Sequence, residues 1–269
     1  MMEIRPAAVA DMFYPGDAPS LAREVESYIG GGMSEQPAAH SVPKALIVPH
    51  AGYIYSGPTA GFAYAQLRPS RDVVRRVVLL GPAHRVAVRG LALPDCEAFA
   101  TPLGAVPLDT DAMAAALSLP QVSRSGTAHA LEHSLEVQLP FLQTLLAGFR
   151  LVPFAVGHAD DQDVSQVLDL LWGGPETLIV ISSDLSHYHP YQVAKRLDGD
   201  TANDILALRP LRDHEQACGA TPINGLLLQA RRRGMQTRLL DLRNSGDTAG
   251  DRSRVVGYGA FAFAEPHAA

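Results

Sequence analysis

Cysteine is almost missing from this chain of 269 residues: only Cys96 and Cys218 occur, so a disulfide framework is excluded and one bridge is the most that can form. A reducing compartment leaves both as thiols. Long apolar runs are also absent. No stretch approaches the roughly 20 uninterrupted apolar residues that a spanning helix needs. The opening "MMEIRPAAVADMFYPGD" lacks the basic region and apolar run of a signal peptide. Both absences point to a soluble, cytoplasmic protein with no membrane partner. Positive charge is in short supply too, with a formal net charge of -6 and a pI near 5.9. No nucleic-acid motif is present, so recognition by phosphate neutralisation is not expected. There is no GxxxxGK[ST] loop, no GxGxxG after a strand and no GxSxG elbow, which argues against a P-loop, a dinucleotide fold and a serine hydrolase.

What is present is enough apolar material, 47% of residues against 19% charged, to bury a sizeable core, expected as one globular domain over residues 1–269. "SLAREVESYI" (Ser20 to Ile29) has a serine N-cap and helical spacing, and "GGGMSEQPAAH" is expected to break it into a loop. "ALIVPHAGYIYSGPTAGFAYAQL" reads as strand, loop and helix, with Pro58 suited to the first helical turn. Buried strands recur in "RRVVLLGPAHR", "FRLVPFAVGH" and "ETLIVISSDLSHYH", separated by helical stretches such as "SLEVQLPFLQTLL" and "DDQDVSQVLDLLW". Apolar runs that do not alternate imply a central, mostly parallel or mixed sheet flanked by helices, the α/β class. The last segment, "MQTRLLDLRNSGDTAGDRSRVVGYGAFAF", gives two strands and a polar loop, expected as an antiparallel pair at a sheet edge. "NSGDTAGDRS" lacks the closing glutamate of a calcium loop and reads as a hairpin connection.

In open α/β sheets ligands bind beyond the carboxyl ends of the strands. His50 follows "ALIVP", His84 follows "VVLLGPA", His158 follows "VPFAVG", and Asp184, His187 and His189 follow "LIVISS". His158 and His189 are expected to be ordinary loop histidines. Tyr53, Tyr55 and Tyr188 are expected mainly to pack. Cys218, where a loop passes into a helix, would have its pKa lowered by the helix N-terminus; Cys96 has no histidine nearby in sequence. "HALEHSLEVQLPF" contributes His129, Glu132, His133 and Glu136; on a helix the two glutamates would share one face and the two histidines the next. Its "HALEH" lacks the glutamate after the first histidine of the metalloprotease HExxH pattern. Converging imidazoles with a carboxylate and a thiol suit either a metal site or metal-free nucleophilic chemistry.

Six stretches, "VPHAGYIYSGPTAGFAYAQL", "LLGPAHR", "EHSLEVQLPFLQ", "ISSDLSHY", "ACGATPINGLL" and "NSGDTAGDRSRVVGYGAFAF", fall in the order found in the MEMO family, which the chain resembles over nearly its whole length. In prokaryotes these are the B proteins of the AmmeMemoRadiSam system, so AMMECR1-like and radical-SAM proteins of that system are implied partners, beside a small-molecule substrate. The resemblance implies a fold like that of class III extradiol dioxygenases of the LigB type. It implies metal ligation by His50, His84 and Cys218, with Asp184 and His187 as the acid/base positions. Iron(II) is the implied metal, with copper or zinc as competitors because a thiolate softens the site. Two functions follow: a dioxygenase-like oxidoreductase, or a non-catalytic metal- or peptide-binding scaffold that keeps the cleft. The chain departs from the animal members in carrying Ala220-Thr221 where they have Arg-His, and it has Gln138 where a histidine is common.

Overall fold

A run such as Ala45-Leu46-Ile47-Val48 has no polar face and is stable only in a strand covered on both sides. The computed structural model, which describes residues 3–34 and 42–266, buries all four completely in such a strand. In chain order the elements begin with β1 (Ile4–Arg5), α1 (Ala18–Ser34), β2 (Ala45–Val48), α2 (Tyr53–Ala65) and β3 (Arg76–Pro82). They continue with β4 (Leu91–Leu93), β5 (Ala98–Thr101), β6 (Gly104–Pro107), α3 (Thr110–Ala116), β7 (Val122–Arg124), α4 (Gly126–Ala130) and α5 (Leu139–Leu145). The remainder are β8 (Arg150–Val156), α6 (Asp161–Leu170), β9 (Thr177–Ser182), β10 (His187–His189), α7 (Tyr191–Leu206), α8 (Ala220–Arg232), β11 (Gln236–Asn244) and β12 (Val255–Ala264).

The main sheet has the order β10-β12-β2-β9-β3-β8-β4-β7, with β11 also paired to β12; β1, β5 and β6 form a small second sheet. Strands β2, β9, β3 and β8 are parallel; β12 runs antiparallel to β2 and β4 antiparallel to β8, while β7 is parallel to β4. The sheet is therefore mixed, as expected for an α/β chain. Helices α1, α2 and α5 pack together, α2 lying on β2, β11 and β12; α6 and α8 pack together, with α8 against β3 and β9.

Three local expectations are corrected. The triple glycine does not end α1, which runs through Gly30–Gly32 to Ser34; residues 35–41 of the expected loop lie outside the described residues. The reason is helix packing: a Cβ on Gly32 would sit 2.7 Å from the Gly61 carbonyl oxygen, and one on Gly61 would sit 2.2 Å from that of Tyr28. The glycines let α1 and α2 touch backbone to backbone, which outweighs their poor helix propensity. Pro58 is inside α2 rather than in its first turn, because the helix starts at Tyr53, whose N–H donates to the Phe13 carbonyl. The carbonyl that Pro58 leaves without a helical partner belongs to Ile54, an exposed residue open to water. The C-terminal strands do pair antiparallel, but β12 lies inside the sheet, bonded to β2 as well as β11.

Candidate metal centre

Each of three parallel strands delivers a functional group two residues beyond its end: His50 after β2, His84 after β3 and Asp184 after β9. These strands are neighbours, so the three groups reach one cleft of about 720 Å³, also lined by His133, His187 and Tyr258. The same spacing after β8 gives His158, which is exposed and outside the cleft because its backbone turns away to pair with Val88 and Arg89. His50, His84 and His133 have ring centroids 4.7 to 5.5 Å apart. One ligand nitrogen from each lies within 4.8 Å of the others.

Hydrogen-bond accounting fixes two tautomers. The Ser182 hydroxyl has a single proton and gives it to the Ser134 carbonyl at 2.5 Å, so it can only accept from His50 Nδ1 at 2.9 Å. His50 is therefore protonated at Nδ1, and its Nε2 keeps a free lone pair. Gln138 completes the arrangement, donating from Nε2 to Ser182 Oγ and to the Pro49 carbonyl while accepting from Tyr64. His84 Nδ1 lies 2.9 Å from Glu132 Oε1. Burial pulls the Glu132 carboxyl up, but His84 and the N–H groups of Ser134 and His84 more than compensate and hold it down to about 2. An ionised carboxylate only accepts, so His84 also carries its proton on Nδ1 and offers Nε2. Ser134 ties the two supports together, since its N–H donates to Glu132 while its carbonyl takes the Ser182 proton. A Cβ on Gly81 would meet Ser134 Oγ at 2.8 Å, so the close approach of this segment to β3 requires glycine there.

His133 is held less firmly. Its Nδ1 is 3.4 Å from Glu132 Oε1, yet it is buried without a hydrogen bond, and its ring stacks on His84 and meets Phe13 at 4.8 Å. Burial lowers its pKa to about 4 and drives that of His50 well down, helped by repulsion among the histidines. Both shifts favour the neutral imidazole, the form that ligates metal, at His50 and His133.

Cys218 stands just before α8, and its Sγ lies 3.3 Å from His50 Nε2. Its thiol is not acidified as the helix N-terminus led one to expect: burial first, then the nearby Asp184 charge, pushes it up to about 12. Desolvation outweighs a partial dipole charge here. Asp184 is raised to about 7 by burial, although Oδ1 accepts from the His50 N–H at 2.7 Å. His187 opens β10 and has its pKa lowered, chiefly by burial, with the Leu185 backbone opposing. Cys96 lies apart from the cleft, beside Arg5.

The residues Glu132 and His133 are the part that the sequence placed wrongly. No single helix spans 129–136: α4 stops at Ala130, and the chain turns before a short 3-10 turn at Glu136–Gln138. His129 points inward to the Ala92 carbonyl at 2.8 Å, and Glu136 is locked to Arg5 and Tyr14. Tyr53 is core, as expected, whereas Tyr55 and Tyr188 line the cleft. The 245–254 connection is a hairpin loop as read, and Ser245, Gly250, Asp251 and Arg254 form part of the cleft wall.

A family model described as Memo-like protein matches residues 5–262. A MEMO1 family protein of Ignicoccus hospitalis is 35% identical over 288 residues, covering 98% of this chain and 100% of the relative. One of Aeropyrum pernix is 36% identical over 294 residues, covering 96% and 99%. One of Aquifex aeolicus is 35% identical over 269 residues, covering 96% and 98%.

Proposed function

The chain belongs to the Memo-like family, and on that premise we propose that it is a metal-dependent oxidoreductase of the extradiol-dioxygenase kind. It holds iron(II), with copper or zinc as competing ions, through His50, His84 and Cys218, and acts on a small substrate in the cleft. The observation that carries this reading is the pair of imidazoles whose Nδ1 protons are tied back to Ser182 and Glu132, beside a thiol 3.3 Å from His50 Nε2. Two neutral nitrogens and one sulfur fit a first-row ion and leave coordination positions for ligands. His133 is the competing third donor, since its nitrogen completes the histidine group.

Bound iron(II) supplies Lewis acidity and redox capacity toward dioxygen. The chain's own residues supply the rest. Cys218 would hold the ion as its thiolate, giving up a proton that burial otherwise keeps on the thiol up to about pH 12. Asp184, at about 7, is able to exchange a proton close to neutral pH while its Oδ1 keeps the His50 backbone in place. His187, which burial keeps neutral, takes a substrate hydroxyl proton at a ring nitrogen facing the cleft. Among the described residues Asp184 makes no bond to His187, so each works on its own side of the cleft.

The test is elemental analysis of protein purified without oxygen, with oxygen uptake measured on phenolic substrates. The wild type is expected to carry near-stoichiometric iron that His50→Ala and Cys218→Ser lose. His187→Ala should keep the iron and lower turnover by roughly 100-fold or more. Metal retained in Cys218→Ser but lost in His133→Ala reassigns the third ligand. Metal without any oxygen uptake supports a binding scaffold instead, and no metal after reconstitution overturns both readings.

A further inference from the structure

Asp198 is a buried carboxylate that none of the chemistry above uses. It sits on α7 at 2% exposure and forms no ion pair among the described residues. Its Oδ1 accepts from the Ser186 N–H at 3.0 Å, and its Oδ2 is buried without a hydrogen bond. Burial raises its carboxyl to about 6, with Ser186 opposing. A carboxyl held this way costs stability instead of adding it, so core packing does not account for its presence. The chain also makes room for it. A Cβ on Gly257 of β12 would sit 2.1 Å from Asp198 Oδ2, and the glycine leaves that space open.

What Asp198 holds is the entry to β10. The Ser186 carbonyl accepts from the Gly257 N–H, and the Leu185 N–H donates to the Gly257 carbonyl, both at 2.8 Å. Ser186 is therefore clamped on both sides of its backbone, by Asp198 at the N–H and by Gly257 at the carbonyl. The next residue is His187. Successive side chains of a strand point to opposite faces, yet His187 and Tyr188 both line the cleft. Tyr188 reaches it with φ of +61°, where β10 and β12 shift register. A bulky residue keeps that backbone only where its surroundings over-determine it. The clamp on Ser186 constrains the turn before it, and the Arg254 guanidinium, 5.1 Å from the Tyr188 ring centroid, constrains the ring itself.

We propose that Asp198 is a positioning residue of this cleft: by holding the Ser186 N–H it fixes the turn that presents the His187 ring to substrate. Asp198 is not part of the cleft wall and acts only through that turn. The proposal rests on His187 being the group that takes the substrate proton, and it does not depend on which metal is held.

The test compares Asp198→Ala with Asp198→Asn, which keeps an oxygen for the Ser186 N–H, and with Gly257→Ala, whose Cβ forces the carboxylate aside. Each is read by NMR of the His187 ring nitrogens in chelated protein, by metal content after reloading, and by oxygen uptake with a phenolic substrate. Asp198→Ala and Gly257→Ala are expected to shift or broaden the His187 signals, to keep their metal, and to lower kcat by about 10–100-fold with KM unchanged. Asp198→Asn should restore the signals and recover most of kcat. Wild-type His187 signals in Asp198→Ala overturn the proposal. So does an asparagine variant as disturbed as the alanine one, because the charge and not the hydrogen bond is then the operative feature. If Asp198→Ala does not fold, Gly257→Ala and Asp198→Asn decide by the same criteria. Failure of the oxidoreductase reading looks different: the wild type takes up no oxygen, and the His187 signals still separate alanine from asparagine.

Discussion

Two short segments concentrate acids and histidines, "HALEHSLE" from His129 to Glu136 and "SSDLSHYHP" from Ser182 to Pro190, and they use them differently. The second extends from a fully buried strand, so its groups arrive in order at one rim. The first is irregular and splits its residues between two tasks. Glu132 and His133 face the cleft, while His129 and Glu136 bind the N-terminal strand and its neighbours. Residue type does not separate the roles; the partner of each polar atom does. Arg5 is the common partner of the inward set, donating to the His129 and Glu132 carbonyls and to Glu136 Oε2.

The largest expected effect comes from breaking that inward set. Arg5→Met leaves Glu136, fully buried, without its cation and should cost roughly 3–5 kcal/mol in urea unfolding. Such a loss, with metal content unchanged under native conditions, keeps the two tasks separate. A small loss would show that the Ala8 and Val9 N–H groups and Tyr14 suffice for Glu136.

The segments should also respond to pH with opposite sign in metal-free protein. Burial lowers His129 from 6.5 to about 4, so between those values the unfolded chain binds more protons than the folded one. Its contribution is complete above pH 6.5 and is lost as pH falls to about 4, an effect of about 3 kcal/mol. Asp184 is raised from 3.8 to about 7, so there the folded state holds the extra proton. Its contribution is complete below about pH 4 and lost as pH rises through 7. Unfolding measured from pH 4 to 8 should therefore show His129→Gln flattening the acid limb and Asp184→Asn stabilising the protein at pH 8 but not at pH 4. Identical profiles for both variants would erase the contrast between the segments.

Legibility in sequence followed the same division. His50, His84 and Asp184 could be located because each follows an unbroken apolar strand, and strand ends in an α/β sheet share a rim. The family pattern brought in Cys218, which the structure sets against His50. His133 was not legible as a cleft residue, because its spacing from His129 imitates a helix and only the turn after Ala130 separates the two. The glycines of α1 misled for a related reason: their local propensity says break, and the tertiary contact of Gly32 with Gly61 says continue. Arg85 and Arg254, which also line the cleft, carry no spacing signal at all, since one belongs to a loop after β3 and the other to the hairpin loop before β12.

The smallest effect distinguishes the two supports of the histidine pair. Glu132, held to about 2, is charged and accepts the His84 Nδ1 proton, which makes Nε2 a stronger donor to a metal. Ser182 does the same for His50 as a neutral acceptor. Glu132→Gln should therefore weaken metal binding by about 10–100-fold, and Ser182→Ala by less, about tenfold at most. The serine variant has its own signature: it strands the Ser134 carbonyl and one Gln138 N–H, and should cost about 1–3 kcal/mol of stability even without metal. Competition with a chelator gives the affinities, and urea unfolding of metal-free protein gives the stabilities. Equal affinity losses in the two variants would mean that orientation of the rings, which both partners provide, matters more than the charge that only Glu132 supplies.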